Sequence, residues 1–470
     1  MNLNYLFFLK KLYYINIKNM PIVRQQKNET MPLNMPLNNA YSFKNGSSLI
    51  QLQIASQPQA LVCKSLKLCG KLRLNRSTST FGTPAFPNNN DNRGGGAFNL
   101  TLNERVGINA VIDTLTLSSM TGQTLESIRN YGRLTATTTP MKNNQTQFDG
   151  KLQGQNPACA SRANIGANEV NSEVFLAMPF ECGMIEGMDY LPLGKNGVDG
   201  LQILIQLASD QNAMQSSEVA TRADCYYELV DVSLTYDTLV FDEKTTEEMA
   251  RPASGAFEYN SWSHIYSVIN ASDAQQNFNF GTSKTLSVFT NTLPTTYINN
   301  IAQDGFSTNN LKKTTATAYD TTAKLNKLTF IKDGIKVPLD FEVNCADQST
   351  EDRPRVEVIG ELKGAFNRRG GLSNLISVNT ENNLQTAVNL NGDPVSFVAP
   401  GENVESQEVP VFAMGINEDN LTKVGRNFTN SSFGLRIESD LDGASPNSLN
   451  TFILSKNTLR YSPQGIMVSS

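Results

Sequence analysis

Residues 65–75 read SLKLCGKLRLN, in which apolar and polar side chains alternate at every second position. Because successive side chains of a strand point to opposite faces, this period of two puts four leucines on one face and three cations on the other. On a helix the same leucines would scatter around the axis. The segment therefore predicts a half-buried strand. Its two faces are Leu66, Leu68, Leu72 and Leu74 towards a core, and Lys67, Cys69, Lys71 and Arg73 away from it.

Strand patterns of this kind recur along the chain. In residues 327–343 the pair Asp333 and Gly334 separates two alternating runs, which is the strongest short signal for a β-hairpin. Composition agrees with a β-rich protein, since only 18% of the 470 residues are charged and Asn, Thr and Ser are frequent. The predicted strand segments are 48–55, 65–75, 97–119, 200–208, 228–242, 327–343, 355–366, 433–440 and 450–468.

One segment, 122–134, has a different period. Its sequence GQTLESIRNYGRL places Leu125, Ile128 and Tyr131 three residues apart, which puts them on one face of a helix. The sequence therefore predicts a short helix here. Its end signals are Thr124 as the cap, Glu126 near the positive end of the helix dipole, and Gly132 as the stop.

The chain is long enough for two cores of ordinary domain size. Residues 243–257, EKTTEEMARPASGAF, are polar and predict a linker. The pattern Gly-Leu-x-Ile occurs at 200–203 and again at 434–437, about half the chain later and after a similar order of segments. We therefore predict two similar all-β domains, each a β-sandwich, at residues 45–246 and 247–470.

Charge is distributed unevenly along the chain. Residues 1–90 hold eleven Lys and Arg and one acidic residue, Glu29, so this part is +10, and the net charge of −5 leaves −15 for the rest. A basic segment on an acidic chain indicates contact with an anion, either nucleic acid or acidic neighbours, or else a solvated tail. We predict that residues 1–44, at net +5, form an arm outside both cores.

The first twenty residues are apolar, but Lys10 and Lys11 interrupt them, and the remaining apolar run is too short to span a bilayer. They lack the layout of a signal peptide, because no basic residue precedes the apolar run and no small-residue cleavage site follows it. Met1 and Met20 are both candidates for the start of the natural protein.

The sequence offers little for catalysis or metal binding. Its single histidine, His264, adjoins the single tryptophan, Trp262, and no nucleophile motif or phosphate-binding loop accompanies them. The glycines of 93–96 lie in an Asn-rich loop. Six cysteines without a CxxC pair indicate a reducing compartment, and parity predicts Cys63 and Cys69 on the same outer strand face. We predict no catalytic, cofactor-binding or metal-binding residues, and a structural role for His264.

Four segments together resemble the double jelly-roll major capsid proteins of polinton-like viruses and virophages. The resemblance lies in the kind of each segment and in the order of the segments along residues 45–470, and it includes no catalytic motif. The segments are GQTLESIRNYGRL, VFLAMPF with the later MDYLPLGKNGVDGLQILIQLA, TFIKDGIKVPLDFEV, and the terminal strand pair of 450–468.

The resemblance implies two tandem, upright eight-stranded jelly rolls in each chain. It further implies a homotrimer of pseudo-hexagonal outline (a hexon), and many such capsomers tiling an icosahedral shell around double-stranded DNA. The implied partners are neighbouring capsomers and a single jelly-roll penton protein, with no small-molecule substrate, cofactor or enzymatic activity. The implied location is the virion, assembled inside the host cell. The basic arm would then line the shell, in nonspecific contact with packaged DNA or with a neighbouring capsid protein.

Two other classes of β-sandwich protein stay open at this point. A carbohydrate-binding or adhesin-like protein would be expected to carry a secretion signal and exposed aromatic residues, whereas this chain has one Trp and no clear signal. A hydrolase would need a carboxylate pair, and nothing singles one out among the many Asp and Glu residues.

The cations of residues 65–75 need a partner. In a jelly roll the first and last strands lie close together, and an upright roll turns its sheet faces sideways rather than towards a genome. Asp231 and Asp237 lie on the outward face of the last predicted strand of the first domain. We therefore predict that Lys67, Lys71 and Arg73 meet acidic side chains on an adjacent strand or roll, rather than nucleic acid or solvent.

Overall fold

The structure is a computed structural model, which describes most of the first half of the chain and parts of the second. The described residues are 21–75, 101–102, 106–138, 171–215, 225–269, 273–278, 281–301, 305–306, 325–337, 343–344, 364–365, 414–417, 425–439 and 446–469.

Strands dominate both halves. The strands of the first half are β1 (Ile22–Thr30), β2 (Ala40–Tyr41), β3 (Leu49–Ile54), β4 (Ala60–Asn75), β5 (Thr101–Leu102), β6 (Ile112–Ser119), β7 (Thr124–Arg129), β8 (Asn171–Pro179), β9 (Tyr190–Pro192), β10 (Leu201–Leu207), β11 (Met214–Gln215) and β12 (Tyr226–Phe241). Those of the second half are β13 (Gly255–Ile269), β14 (Asp273–Phe278), β15 (Thr285–Pro294), β16 (Leu325–Lys332), β17 (Ile335–Val337), β18 (Val343–Asn344), β19 (Met414–Asn417), β20 (Phe433–Ser439), β21 (Asn447–Ser462) and β22 (Gly465–Ser469).

The helices that the structure describes are short. They are α1 (Tyr131–Thr138), α2 (Gly183–Gly187), α3 (Asp210–Ala213) and α4 (Glu243–Ala250), with 3-10 turns at Gly107–Val111 and Thr295–Tyr297. The first of these turns lies within the predicted strand 97–119, whose other described residues include strands β5 and β6.

The two halves have the same sheet topology. In the first half the sheets run β1-β12-β4-β8 and β3-β10-β6-β7, and in the second half they run β13-β21-β15-β19 and β14-β20-β16-β17. Counting the eight main strands of each half in chain order, both halves read 1-8-3-6 and 2-7-4-5, and all these pairs are antiparallel. Two facing sheets with this order define a jelly roll. The predicted double jelly roll is confirmed.

The sequence echo between the halves marks equivalent strands. The first Gly-Leu-x-Ile leads into β10 and the second lies in β20, and each of these is the seventh main strand of its roll. The predicted hairpin is also present, because Asp333 and Gly334 join β16 to β17 with φ of 52° and 81°. Positive φ at both turn positions is the geometry that Asp-Gly favours.

The leucine face of β4 is buried as predicted. Leu66, Leu68, Leu72 and Leu74 are each at most 1% exposed and pack in the core between the two sheets of the first roll. Gly70 interrupts the series of leucines and lies opposite a register shift in β12. Its φ is +153°, and a Cβ on this residue would lie 3.0 Å from the carbonyl oxygen of Val230. A residue with a side chain would therefore collide with the bulged strand.

The prediction that Cys63 shares the outer face of β4 with Cys69 is wrong. Lys67 pairs with Thr235 of β12, whereas the next pair joins Val62 to Asp237, so β4 holds extra residues between the two pairs. Such a bulge reverses the parity of the strand. Cys63 is therefore fully buried, whereas Cys69 is only half-buried.

The predicted helix over 122–134 is also wrong for most of its length. Residues 124–129 form strand β7, and the helix α1 begins only at Tyr131, with Gly132 inside it. A register shift in the pairing of β6 with β7 leaves Leu125 as an extra residue, so that Leu125, Glu126 and Ile128 are all buried. A bulged strand thus produced the three-residue spacing that is typical of a helix.

Residues 22–44 do not form an arm. Strand β1 pairs with β12 at the edge of the first sheet, β2 pairs with the same strand, and Tyr41 is buried in the core. The arm prediction is therefore wrong for these residues, because a polar segment can satisfy its main chain by pairing at a sheet edge while its side chains stay in water. Residues 1–20 lie outside the described residues, and an arm remains a prediction for them.

The predicted linker contains helix α4, whose first turn is capped by Asp242 through a 3.1 Å bond from the Thr245 N–H. Among the described strands, none before this helix pairs with one after it. The first roll begins earlier than the predicted residue 45, because β1 belongs to it. The other limits of the predicted domains 45–246 and 247–470 stay predictions. The predicted glycine loop 93–96 and nearly all of the predicted strand 355–366 lie outside the described residues.

We expect Leu68→Asp to prevent folding of the first roll. The side chain is 1% exposed, and an unpaired carboxylate in an apolar core costs several kcal/mol. Soluble yield and circular dichroism of the purified variant check this. Lys67→Asp, one residue away on the outer face, is the matched control, and a folded Leu68→Asp variant with the melting temperature of the control would contradict the assignment of the two faces.

Candidate functional site: the joint between the rolls and the charged sheet face

The two rolls meet around one buried carboxylate. Glu126 lies on β7 of the first roll and is 3% exposed. Its Oε1 accepts the backbone N–H of Gly183, at 2.9 Å, and of Trp262, at 2.7 Å. Its Oε2 accepts the N–H of Met184, at 2.9 Å. One side chain thus joins β7 and α2 of the first roll to β13 of the second.

The three donors are groups that need a partner. Gly183 and Met184 open helix α2, and the first N–H groups of a helix have no acceptor within it. Trp262 lies on β13, an edge strand of its sheet. Burial raises the pKa of Glu126 to about 7, while the three N–H bonds oppose that rise because they favour the ionised form.

Close backbone packing supports this contact. A Cβ on Gly183 would lie 2.7 Å from the backbone oxygen of Asn260 on β13, so only glycine allows the helix to approach so near. The hydroxyl of Tyr259, also on β13, donates to the backbone oxygen of Leu125 at 2.6 Å. The joint therefore depends on main-chain atoms of both rolls.

Polar side chains extend the joint across the second roll. Arg133 of α1 donates from Nη1 to Oδ1 of Asn291 on β15, at 2.9 Å. Asn291 in turn donates from Nδ2 to the hydroxyl of Thr137, at 2.9 Å. On β21, Oδ1 of Asn450 accepts Nδ2 of Asn130 at 3.1 Å. The first roll therefore covers β13, β15 and β21 together.

His264 belongs to the same joint. Its Nε2 lies 3.0 Å from Oδ1 of Asn450, and its ring stacks on Phe452 with centroids 4.7 Å apart. Burial lowers its pKa to about 4, so the imidazole is neutral at pH 7. A neutral ring that stacks on Phe452 and bonds to Asn450 fits the predicted structural role better than acid–base catalysis.

Sequence reasoning did not find this joint. Glu126 was expected near the positive end of a helix, and it does lie at one, but that helix is α2, some sixty residues further along the chain. No local pattern identifies the partner, because the contact depends on how β7, α2 and β13 come together in three dimensions. The signal that the sequence offered was an acidic residue, Glu126, within a segment whose apolar residues predict a buried face.

The cationic face of β4 carries a network of ion pairs. Nζ of Lys71 lies 3.4 Å from Glu173 of β8 and 3.5 Å from Asp231 of β12. Arg73 lies 2.8 Å from the same Glu173 and 3.4 Å from Glu228 of β12. Hydrogen bonds from Arg73 hold the pKa of Glu173 below its usual value. Both cations therefore meet acids on the two adjacent strands, as predicted.

Asp237 and Lys67, the other two residues in that prediction, do not take part in this network of ion pairs. Asp237 accepts a 2.7 Å bond from Nε2 of Gln25 on β1, so its partner is an amide rather than a cation of β4. Lys67 has no ion pair among those that the structure describes. Phe175 of β8 is 79% exposed beside Lys71, whose Nζ lies 5.3 Å from the ring centroid.

The described residues hold neither a metal-binding cluster nor a membrane-spanning helix. Within the ranges that it describes, no three His, Cys, Asp or Glu side chains lie close enough together to hold a metal ion. The helices in those ranges are too short or too polar to cross a membrane. The prediction of no catalytic, cofactor or metal residues stays a prediction.

Comparison with known proteins identifies the fold class. No protein-family model matches the chain, and no curated protein matches its sequence. Solved virus capsid structures match it over nearly its full length, and the chain has their double jelly-roll fold.

Three of these structures illustrate the match. The Faustovirus major capsid protein has a TM-score of 0.56 at 9% identity, covering 97% of this chain and 94% of that one. A chain of the Sputnik virophage structure has a TM-score of 0.52 at 9% identity, covering 96% and 89%. A quasi-atomic model of the PBCV-1 virus capsid has a TM-score of 0.51 at 10% identity, covering 95% and 97%.

We expect the two titratable groups of the joint to affect stability with opposite signs. The folded pKa of His264 is about 4 against an ordinary 6.5, so its contribution to stability is lost as pH falls from about 6.5 to 4. The folded pKa of Glu126 is about 7 against 4.5, so its contribution is lost as pH rises from about 4.5 to 7. Each slope approaches about 1.4 kcal/mol per pH unit.

Urea unfolding of variants between pH 4 and 7.5 separates the two groups. Compared with wild type, Glu126→Gln should lose stability more steeply on acidification, because the opposing group is gone. His264→Gln should lose stability more steeply as pH rises. The double variant is the control, with a slope near that of wild type. Parallel pH profiles for all four proteins would contradict burial of these groups.

We expect Lys71→Glu to destabilise the first roll. The new carboxylate would face Glu173 and Asp231 in place of two attractive pairs, each worth about 0.2–1 kcal/mol. Thermal unfolding in 20 mM and 500 mM salt measures this, and the deficit should shrink at high salt. Lys67→Glu, without a described ion pair, is the control. Equal melting temperatures for both variants at low salt would show that the network contributes nothing.

Proposed function

We propose that this protein is the major capsid protein of an icosahedral double-stranded DNA virus. The observation that carries the proposal is the match to solved capsid structures over nearly the whole chain, so that it includes both rolls. The two rolls of this chain also share one strand order. A β-sandwich adhesin or hydrolase would account for one jelly roll, but neither explains two equivalent rolls joined by a buried interface. The protein would act in the virion, after assembly inside the host cell.

The proposed capsomer is a homotrimer. Each chain has two rolls of equal topology, so three chains supply six rolls. Six similar rolls give the capsomer the hexagonal outline that is needed to tile a shell. Neighbouring capsomers, and a single jelly-roll penton protein at the fivefold vertices, would complete the shell. The protein would have no enzymatic activity, since the joint and the charged face consist of structural contacts.

Electron microscopy and light scattering of the purified protein test this proposal. We expect a particle of three chain masses at micromolar concentration and a hexagonal outline in negative stain. A monomer that does not associate on concentration would overturn the proposal. Sugar binding on a glycan array by that monomer would support the adhesin alternative instead.

We expect two N-terminal deletions to differ. Removing residues 1–20 should leave the trimer intact and impair shell assembly or DNA retention, because these residues carry three of the cations of the proposed arm. Removing residues 1–44 should prevent folding, because it also removes β1 and the buried Tyr41. Particle counts and packaged DNA check the first deletion, and soluble yield checks the second. Full shells from the shorter deletion would refute the arm.

A further inference from the structure

The pair Asn-Gly occurs three times in the sequence, at 45–46, 196–197 and 391–392. The first two pairs lie among the described residues, and the third lies outside them. Asn is a chemically labile residue, because the backbone nitrogen that follows it can attack its side-chain amide. A following glycine hinders this attack least, since it has no Cβ. Each described pair is therefore chemically open to modification, and the fold decides how fast it reacts.

The first pair lies in an exposed turn between β2 and β3. Asn45 and Gly46 are both exposed, and the side-chain amide of Asn45 has no hydrogen-bond partner among the contacts that the structure describes. The N–H of Gly46 donates to the backbone oxygen of Phe43 at 3.1 Å, which is a single bond at the surface. A Cβ on Gly46 would meet no atom within 4 Å, so the space beside this pair is open.

The second pair is held at both ends of its amide. Asn196 is 6% exposed, its Nδ2 donates to the backbone oxygen of Glu248 at 3.2 Å, and its Oδ1 accepts the N–H of Ala253 at 2.9 Å. Gly197 is buried, and a Cβ on it would collide with the backbone oxygen of Pro192. Asn196 therefore reacts only after a local opening that breaks both bonds.

We propose that Asn45 is a site of spontaneous deamidation and that the fold protects Asn196 from the same reaction. The backbone nitrogen of Gly46 attacks the side-chain carbonyl carbon of Asn45 and closes a succinimide ring. The bond from that carbon to the amide nitrogen breaks, and ammonia leaves with the proton of the Gly46 N–H. Water then opens the ring at either carbonyl carbon, which gives aspartate or isoaspartate. The net reaction consumes one water, releases one ammonia and needs no oxidant or cofactor.

The modification changes both the charge and the geometry of the turn. Either product adds a negative charge next to Lys44, whose Nζ lies 4.6 Å from the centroid of the Tyr226 ring. Isoaspartate also inserts one extra main-chain carbon into the turn that the bridge between Ser42 and Ser47 closes. The first roll thus becomes more acidic at this turn as the protein ages. This inference goes beyond the proposed function, because it concerns the single chain and needs no capsomer.

Peptide mapping by mass spectrometry follows both sites while the purified full-length protein is kept at 37 °C and pH 7.4. We expect Asn45 to convert at least about tenfold faster than Asn196, since the reaction of Asn196 requires two hydrogen bonds to open. In concentrated urea the two sites should convert at similar rates, because the protection by the fold is gone. Labelling with an isoaspartyl methyltransferase identifies isoaspartate, and Asn45→Gln should remove the label from the peptide that contains the turn.

Three results would overturn the proposal. One is equal rates at the two sites of the folded protein. Another is an Asn45 rate that the fold lowers, relative to urea, as much as it lowers the rate of Asn196. The third is a label on the turn peptide that persists in Asn45→Gln, because the reacting residue would then be a different one. None of these results depends on trimer formation, so the proposed capsomer is tested separately.

Discussion

The structure depends on a buried carboxyl group whose two oxygens accept main-chain N–H groups from both rolls. Glu126 draws one N–H from the edge of β13 and two from the start of α2, so its side chain fixes elements from both rolls in one place. Burying a carboxylate is costly, but three N–H donors offset much of that cost, and an apolar side chain there would leave all three donors unsatisfied.

The joint also explains why one sheet of the second roll, β13-β21-β15-β19, is buried on both of its faces. Val288 and Ile453 are on the opposite side from Phe289 and Phe452, yet all four are fully buried. A sheet of a free-standing sandwich buries one face and solvates the other. The near-continuous burial along β21 is therefore a sign of a second packed layer, which here is the first roll.

Much of this fold could be predicted from the sequence, wherever strands run without interruption. The leucine face of β4, the Asp-Gly hairpin and the Gly-Leu-x-Ile echo were predicted because period, turn chemistry and repetition are local properties. The helix over 122–134 and the outward position of Cys63 failed for a shared reason, since bulges in β7 and β4 changed the parity. A bulge is set by the partner strand, which a linear pattern does not contain.

Charge patterns carried less certain information. Acidic partners for Lys71 and Arg73 on adjacent strands were predicted correctly, because neighbouring strands with complementary charges tend to pair. Of the two acids named in advance, Asp231 is among these partners and Asp237 is not. The excess of cations near the start suggested an arm, yet residues 22–44 belong to the first roll. Net charge describes how a segment interacts with solvent and ions, and it does not decide whether the main chain joins a sheet.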